Sequence, residues 1–94
     1  MIYKLKFTKE SNKEWGKLNS TIRIQFQKKL KERLTNPRIL KDKLSGYNNI
    51  YKIKLRGSGF RLAYEVKDEQ IIVLVLSVGK RENNKVYDNL KDRV

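Results

Sequence analysis

The sequence predicts an α+β domain: a small antiparallel sheet with helices packed on it, in the order β-α-α-β-β-β-α. Three observations predict it. Ile50–Arg56 and Phe60–Lys67 flank Gly57-Ser58-Gly59, which is turn chemistry, so the two runs read as an antiparallel hairpin. Gln70–Gly79, QIIVLVLSVG, is apolar at successive positions and β-branched, as expected of an interior strand covered on both sides. Thr21–Leu34 places Ile22, Phe26, Leu30 and Leu34 at i+4 intervals, the stripe of an amphipathic helix. The 94 residues suffice for one core and not for two, so residues 1–94 form a single domain.

Taken in order, Met1–Phe7 alternates Tyr3, Leu5 and Phe7 against Lys4 and Lys6, a first strand. Thr8 caps a short helix over Lys9–Leu18, whose apolar face is thin: Trp15 and Leu18 carry it, and Gly16 weakens it. Asn19-Ser20 breaks and caps again before the strong helix, which Asn36-Pro37 stops because the residue before proline avoids the α region. Arg38–Asn49 has no regular period and reads as a loop. The hairpin follows, then a turn at Lys67-Asp68-Glu69 and the apolar strand. Lys80-Arg81-Glu82 is a charged segment. A last short helix over Lys85–Val94 is predicted from Val86, Leu90 and Val94 at i+4 spacing.

Charge narrows the partners. The net charge is +13, which favours polyanions such as RNA, DNA or an acidic protein. The chain has neither cysteine nor histidine, so a disulfide framework, thiolate metal sites and the usual Ser/His and Cys/His nucleophile sets are excluded. Acidic residues are scattered, with no convincing magnesium pair, and neither a metal nor another cofactor is expected. No apolar run approaches the ~20 residues of a membrane span, and MIYKLKF lacks a signal-peptide core. The expected location is the cytoplasm, with no membrane partner.

Candidate chemistry comes from the hairpin. Ile53 and Leu55 interleave with Lys52, Lys54 and Arg56. With Gly57-Ser58 as central turn residues, Arg56 faces Gly59, Leu55 faces Phe60 and Lys54 faces Arg61. Directly opposed like charges on neighbouring strands are destabilising. Lys52, Lys54 and Arg61 on one face therefore give up stability unless an anion lies across them; a solvated outer face of a Lys-rich protein is the other reading of the pattern. RNA strand cleavage is one reaction such a set can perform, since it needs a base for the 2′-hydroxyl, charge stabilisation for the phosphorane and an acid for the leaving oxygen. A lysine serves as base when its pKa falls from ~10.4 toward neutrality, and cationic neighbours act in that direction. Lys54, between Lys52 and Arg61, is so placed. Tyr87 can stack on a base or hydrogen-bond a phosphate. The polar side of the second helix carries Arg23, Lys28, Lys29, Lys31 and Arg33, a stripe that is either a solvated face or a polyanion contact.

YKIKLRGSGFRLAYEV (Tyr51–Val66) and SVGKRENNKVY (Ser77–Tyr87) closely resemble the RelE-type toxins of bacterial toxin–antitoxin modules, as do EWGKLNSTIR (Glu14–Arg23) and NPRILKDKLSG (Asn36–Gly46). The resemblance covers nearly the whole chain, its motifs matching in order. It implies a metal-independent, ribosome-dependent endoribonuclease that cuts mRNA in the ribosomal A site, leaving 2′,3′-cyclic phosphate and 5′-hydroxyl ends. Carried over residue by residue, it makes Lys54 the general base and Lys52 a phosphate contact. Arg61 becomes a transition-state stabiliser, Arg81 the acid or charge clamp, and Tyr87 the residue that orients the substrate. The implied partners are a cognate antitoxin, mRNA and ribosomal RNA, the last met by the helix stripe and Arg56. Operator DNA is reached only through the antitoxin complex. Two further readings stay open: a gyrase-poisoning toxin of the same fold, whose members lack this Lys/Arg/Tyr set, and a basic RNA- or ribosome-binding module that does not cut.

Overall fold

A computed structural model describes residues 2–80, 87 and 90–93. Four strands, β1 (Lys4–Phe7), β2 (Ile50–Leu55), β3 (Phe60–Lys67) and β4 (Ile72–Lys80), form one sheet in the order β1-β4-β3-β2. Helices α1 (Lys9–Gly16) and α2 (Ser20–Thr35) lie between β1 and β2, and a short α3 (Leu90–Arg93) follows β4. The predicted order therefore holds. The sheet departs from the expectation in one respect: β2, β3 and β4 are antiparallel, but β1 joins β4 in parallel, Lys4 opposite Ile72 and Phe7 opposite Val75. The α1–α2 excursion supplies the crossover that a parallel pair requires. Ile71 stands at the start of that pairing with φ 56, a left-handed conformation costly for a β-branched residue, and its carbonyl accepts from Lys4 N–H at 2.8 Å.

Local chemistry explains each boundary. Thr8 and Ser11 form a reciprocal capping box at the start of α1, and the Asn19 side chain accepts from Ile22 N–H to start α2. The first strand is shorter than the alternating run suggests, beginning at Lys4. The 36–49 connection contains a 3₁₀ turn, Leu40–Asp42, and a lone bridge of Lys43 to Tyr51. The hairpin register is the predicted one, with Leu55 opposite Phe60 and Lys54 opposite Arg61. Its turn is looser than expected. Gly59 N–H donates to Leu55 O, and Gly59, not Gly57, adopts positive φ (77°), so Arg56 and Gly59 stand outside the ladder. Of the expected helix at 85–94, Tyr87 and α3 fall within the described residues; Arg81 lies outside them.

The sheet has two unlike faces. Against α1 and α2, Tyr51, Ile53, Leu55, Leu62, Tyr64, Val66, Val73, Val75 and Val78 join Leu18, Ile22, Phe26 and Leu30 in the main core. The opposite face holds a smaller cluster of Ile50, Ala63, Leu76 and Leu90, with Leu44, Tyr47, Leu74 and Tyr87 packed around it. A register shift between Ala63 and Tyr64 makes Leu76 the extra residue of β4, since Ala63 faces Ser77 while Tyr64 faces Val75. Among the described residues no helix is long and apolar enough to cross a membrane.

Candidate active site

The period of two along β2 decides where the cations go. Ile53 and Leu55 point to the main core, so Lys52 and Lys54 must point to the opposite face. Antiparallel pairing adds Arg61 of β3 directly across from Lys54, with Ala63 across from Lys52. Lys54 is exposed, Lys52 and Arg61 half-buried. Tyr87 completes the group from the C-terminal segment: the Arg61 guanidinium lies over its ring, 5.6 Å from the centroid. The structure therefore brings together four of the five residues expected at the site; Arg81 is the fifth and falls outside the described residues.

Tyr87 packs on the small apolar cluster of this face. Its hydroxyl oxygen is buried and makes no close hydrogen bond among the described residues. Burial pushes its pKa above the ordinary 10.0, and the positive charge of Arg61 offsets part of that. Ser77 Oγ, fully buried, also lacks a partner among the described residues.

Beside the cations the surface is concave. A cleft of ≈ 240 Å³ is lined by Lys54, Arg56, Phe60 and Arg61. Around the edge of β2 a groove of ≈ 610 Å³ is lined by Lys29, Lys41, Lys52, Lys54 and Arg56, with Glu32, Arg33 and Asp42. A neighbouring one of ≈ 820 Å³ adds Lys28. Lys28 and Lys29 of the helix stripe and the exposed Arg56 thus share continuous concave surface with the strand lysines, as a phosphate backbone running into the site requires. Exposed Lys31 and half-buried Arg23 line none of these grooves.

Arg33 departs from the stripe. It is turned inward: Nη2 donates to Asp42 Oδ2 at 2.6 Å, and Nη1 to Tyr64 OH at 2.8 Å and to Lys52 O at 3.3 Å. A guanidinium next to the last apolar position of a helix is long enough to reach under it, and its fork fits several acceptors at once. It braces the backbone of Lys52 and does not offer a free charge to RNA. Lys41, conversely, was hidden in a loop without periodicity; only the 3₁₀ turn brings it to the groove. Among the described residues no three His, Cys, Asp or Glu side chains come together as a metal set.

Comparison with known proteins places the chain among toxins of toxin–antitoxin systems. Residues 5–85 match the family model described as the ParE toxin of type II toxin–antitoxin systems, parDE. The chain is 52% identical over 94 residues to the mRNA interferase toxin RelE of Escherichia coli, covering 100% of this chain and 99% of that protein. It is equally similar to the mRNA interferase RelE of Shigella flexneri, with the same coverage. Among solved structures, a substituted E. coli toxin RelE in the free state superposes with TM-score 0.92 at 51% identity, covering 100% of this chain and 99% of that one. The toxin in the intact E. coli RelBE toxin–antitoxin complex gives 0.82 at 55% identity over 85% of this chain and 98% of its own.

Proposed function

The chain belongs to the ParE/RelE family of type II toxin–antitoxin toxins, and on that premise we propose how its cationic face works. It is a toxin of the RelE kind, an mRNA interferase, and its protein partner is a cognate antitoxin, as RelB is for the related RelE chains. The reading proposed here is cleavage of mRNA on the ribosome, in the A site, in the cytoplasm. Operator DNA would be met only through the antitoxin complex.

The observation that carries the reading is Lys54 opposite Arg61, with Arg61 over the Tyr87 ring. In the proposed step the 2′-oxygen bonds to the adjacent phosphorus as Lys54 takes the 2′-hydroxyl proton. The P–O5′ bond breaks, and the 5′-oxygen receives a proton, giving 2′,3′-cyclic phosphate and 5′-hydroxyl ends. As general base, Lys54 acts in its neutral amine form. Lys52 and Arg61 stabilise charge on the phosphorane from fixed positions. Arg81 is the proposed acid or charge clamp for the leaving oxygen. Tyr87 orients the substrate by stacking or through its hydroxyl. Arg23, Lys28, Lys29, Lys31 and Arg56 contribute to the contact with ribosomal RNA.

The test is 5′-end mapping of mRNA in a translating extract with and without the protein. Codon-positioned cuts with 5′-hydroxyl ends are expected. Inhibition of translation without cuts would identify a binding module, and loss of DNA supercoiling activity without cuts would identify a gyrase poison. For the RNA contact, ribosome affinity should fall steeply with salt, and replacing Lys28 and Lys29 should flatten that slope by roughly one unit per lost phosphate contact.

A further inference from the structure

We propose that Glu14 and Arg93 are positioning residues for cleavage, an ion pair that pins the C-terminal helix and, through it, the Tyr87 ring over the cationic face. This rests on the reading of Tyr87 as a substrate-facing residue.

The sheet itself creates the need. β1 ends at Phe7, opposite Val75, while β4 runs on to Lys80. Beyond Val75, β4 has no strand on its β1 side among the described residues, and the extra residue Leu76 disturbs its register with β3. Backbone groups left there need other partners. Glu14, on α1, accepts from Val78 N–H at 3.2 Å. Arg93, on α3, donates to Leu76 O at 2.9 Å. The two side chains then meet as a fork: Arg93 Nη1 to Glu14 Oε1 at 2.9 Å and Nη2 to Oε2 at 3.1 Å. Paired bonds of this kind fix orientation as well as distance, and the two side chains are only 16% and 24% exposed.

The latch bears on Tyr87 because α3 and the Tyr87 ring share one small cluster. α3 offers one fully buried apolar anchor, Leu90, in the same small cluster on which Tyr87 packs. The Tyr87 hydroxyl makes no close hydrogen bond among the described residues, and Arg61 is the cation that acts on it. The ring's place over Arg61 follows from where Leu90 and Arg93 seat the C-terminal segment. A misplacement of about 1 Å in a substrate-orienting group can cost on the order of 10²-fold in rate.

The experiment is a double-mutant cycle in single-turnover cleavage of ribosome-bound mRNA. Arg93→Met is crossed with Tyr87→Ala, with Glu14→Gln and Arg93→Lys as companions. Thermal unfolding and amide exchange at 90–93 are followed in parallel. Arg93→Met is expected to slow the cleavage step by about 10- to 10²-fold, with ribosome affinity unchanged and faster exchange at 90–93. Arg93→Lys should recover part of the rate, Glu14→Gln should fall between, and Arg93→Met should add nothing once Tyr87 is Ala. Wild-type cleavage by Arg93→Met, or an equal loss in the Tyr87→Ala background, overturns the proposal. If Tyr87→Ala alone cleaves as wild type, the substrate-facing role of Tyr87 fails first and the positioning role fails with it.

Discussion

On the side of the sheet that carries α1 and α2, Tyr51, Ile53 and Leu55 of β2 are 2%, 1% and 6% exposed. On the other side of the same strand, Lys52 is half-buried and Lys54 open to solvent, opposite another cation. The first face buries apolar side chains against α1 and the 16-residue α2 and is where stability is made. Among the described residues the second is closed by a small cluster and a four-residue helix, and it sets Lys54 opposite Arg61. One six-residue strand serves both, because its side chains alternate. On the proposed assignment of Lys54, folding and chemistry are separable by single substitutions one residue apart.

The largest effect that would break this comparison lies in the main core. Phe26 is fully buried and in ring contact with Trp15, 6.2 Å between centroids. Phe26→Ala should lower unfolding free energy by about 3–5 kcal/mol, read by urea titration. The surviving folded fraction should still cleave. Next comes Arg33→Met, which strands Asp42 and removes the donor to the Tyr64 hydroxyl. A loss of about 2–3 kcal/mol is expected, with the salt slope of ribosome binding unchanged. A flattened slope would return Arg33 to the RNA surface.

A smaller effect appears in alkali. The Tyr64 hydroxyl donates to Pro37 O at 2.6 Å, and burial pushes its pKa above the ordinary 10.0, with the hydrogen bond from Arg33 acting the other way. An acid held protonated by the fold contributes stability that is fully present below about pH 10 and lost as pH rises past it, because the unfolded chain releases its proton first. Tyr3 and Tyr87, also raised, act in the same sense. Urea midpoints from about pH 8 to about pH 11 should decline, and Tyr64→Phe, weaker at neutral pH, should decline less steeply.

The smallest effect sharpens the other face. Arg61→Gln relieves an opposed charge worth roughly 0.2–1 kcal/mol and forfeits a cation–π contact of roughly 0.5–1 kcal/mol. Stability should change by no more than about 0.5 kcal/mol while cleavage collapses. Phosphate, with ionic strength matched by chloride, should stabilise wild type more than the variant. A clear destabilisation with an unchanged phosphate response would make Arg61 structural.

The elements that the sequence made legible are those governed by local rules. The i+4 stripe of α2 and the glycine turn led to the right helix and to Lys54 opposite Arg61, because periodicity and turn closure are properties of neighbours in the chain. The apolar run 70–79 reads as an interior strand for the same reason, and β4 occupies 72–80 between β1 and β3. What stayed hidden is non-local. KLKF alternates as any edge strand does, so its parallel seat on β4 has no local signature. Arg33 occupies a polar position of its helix, and only the approach of Tyr64 and Asp42 turns it inward. Glu14 and Arg93 meet across nearly the whole chain, where no spacing rule reaches.

The most direct measurement pairs Ile53→Ala with Lys54→Met, neighbours on opposite faces, following thermal unfolding and single-turnover mRNA cleavage for both. Ile53→Ala should lose about 2–5 kcal/mol and cleave normally per folded molecule. Lys54→Met should unfold like wild type and lose about 10²–10⁴-fold in cleavage. If Lys54→Met cleaves within a few-fold of wild type, or is destabilised as much as Ile53→Ala, the division of the sheet into a structural face and a catalytic face is wrong.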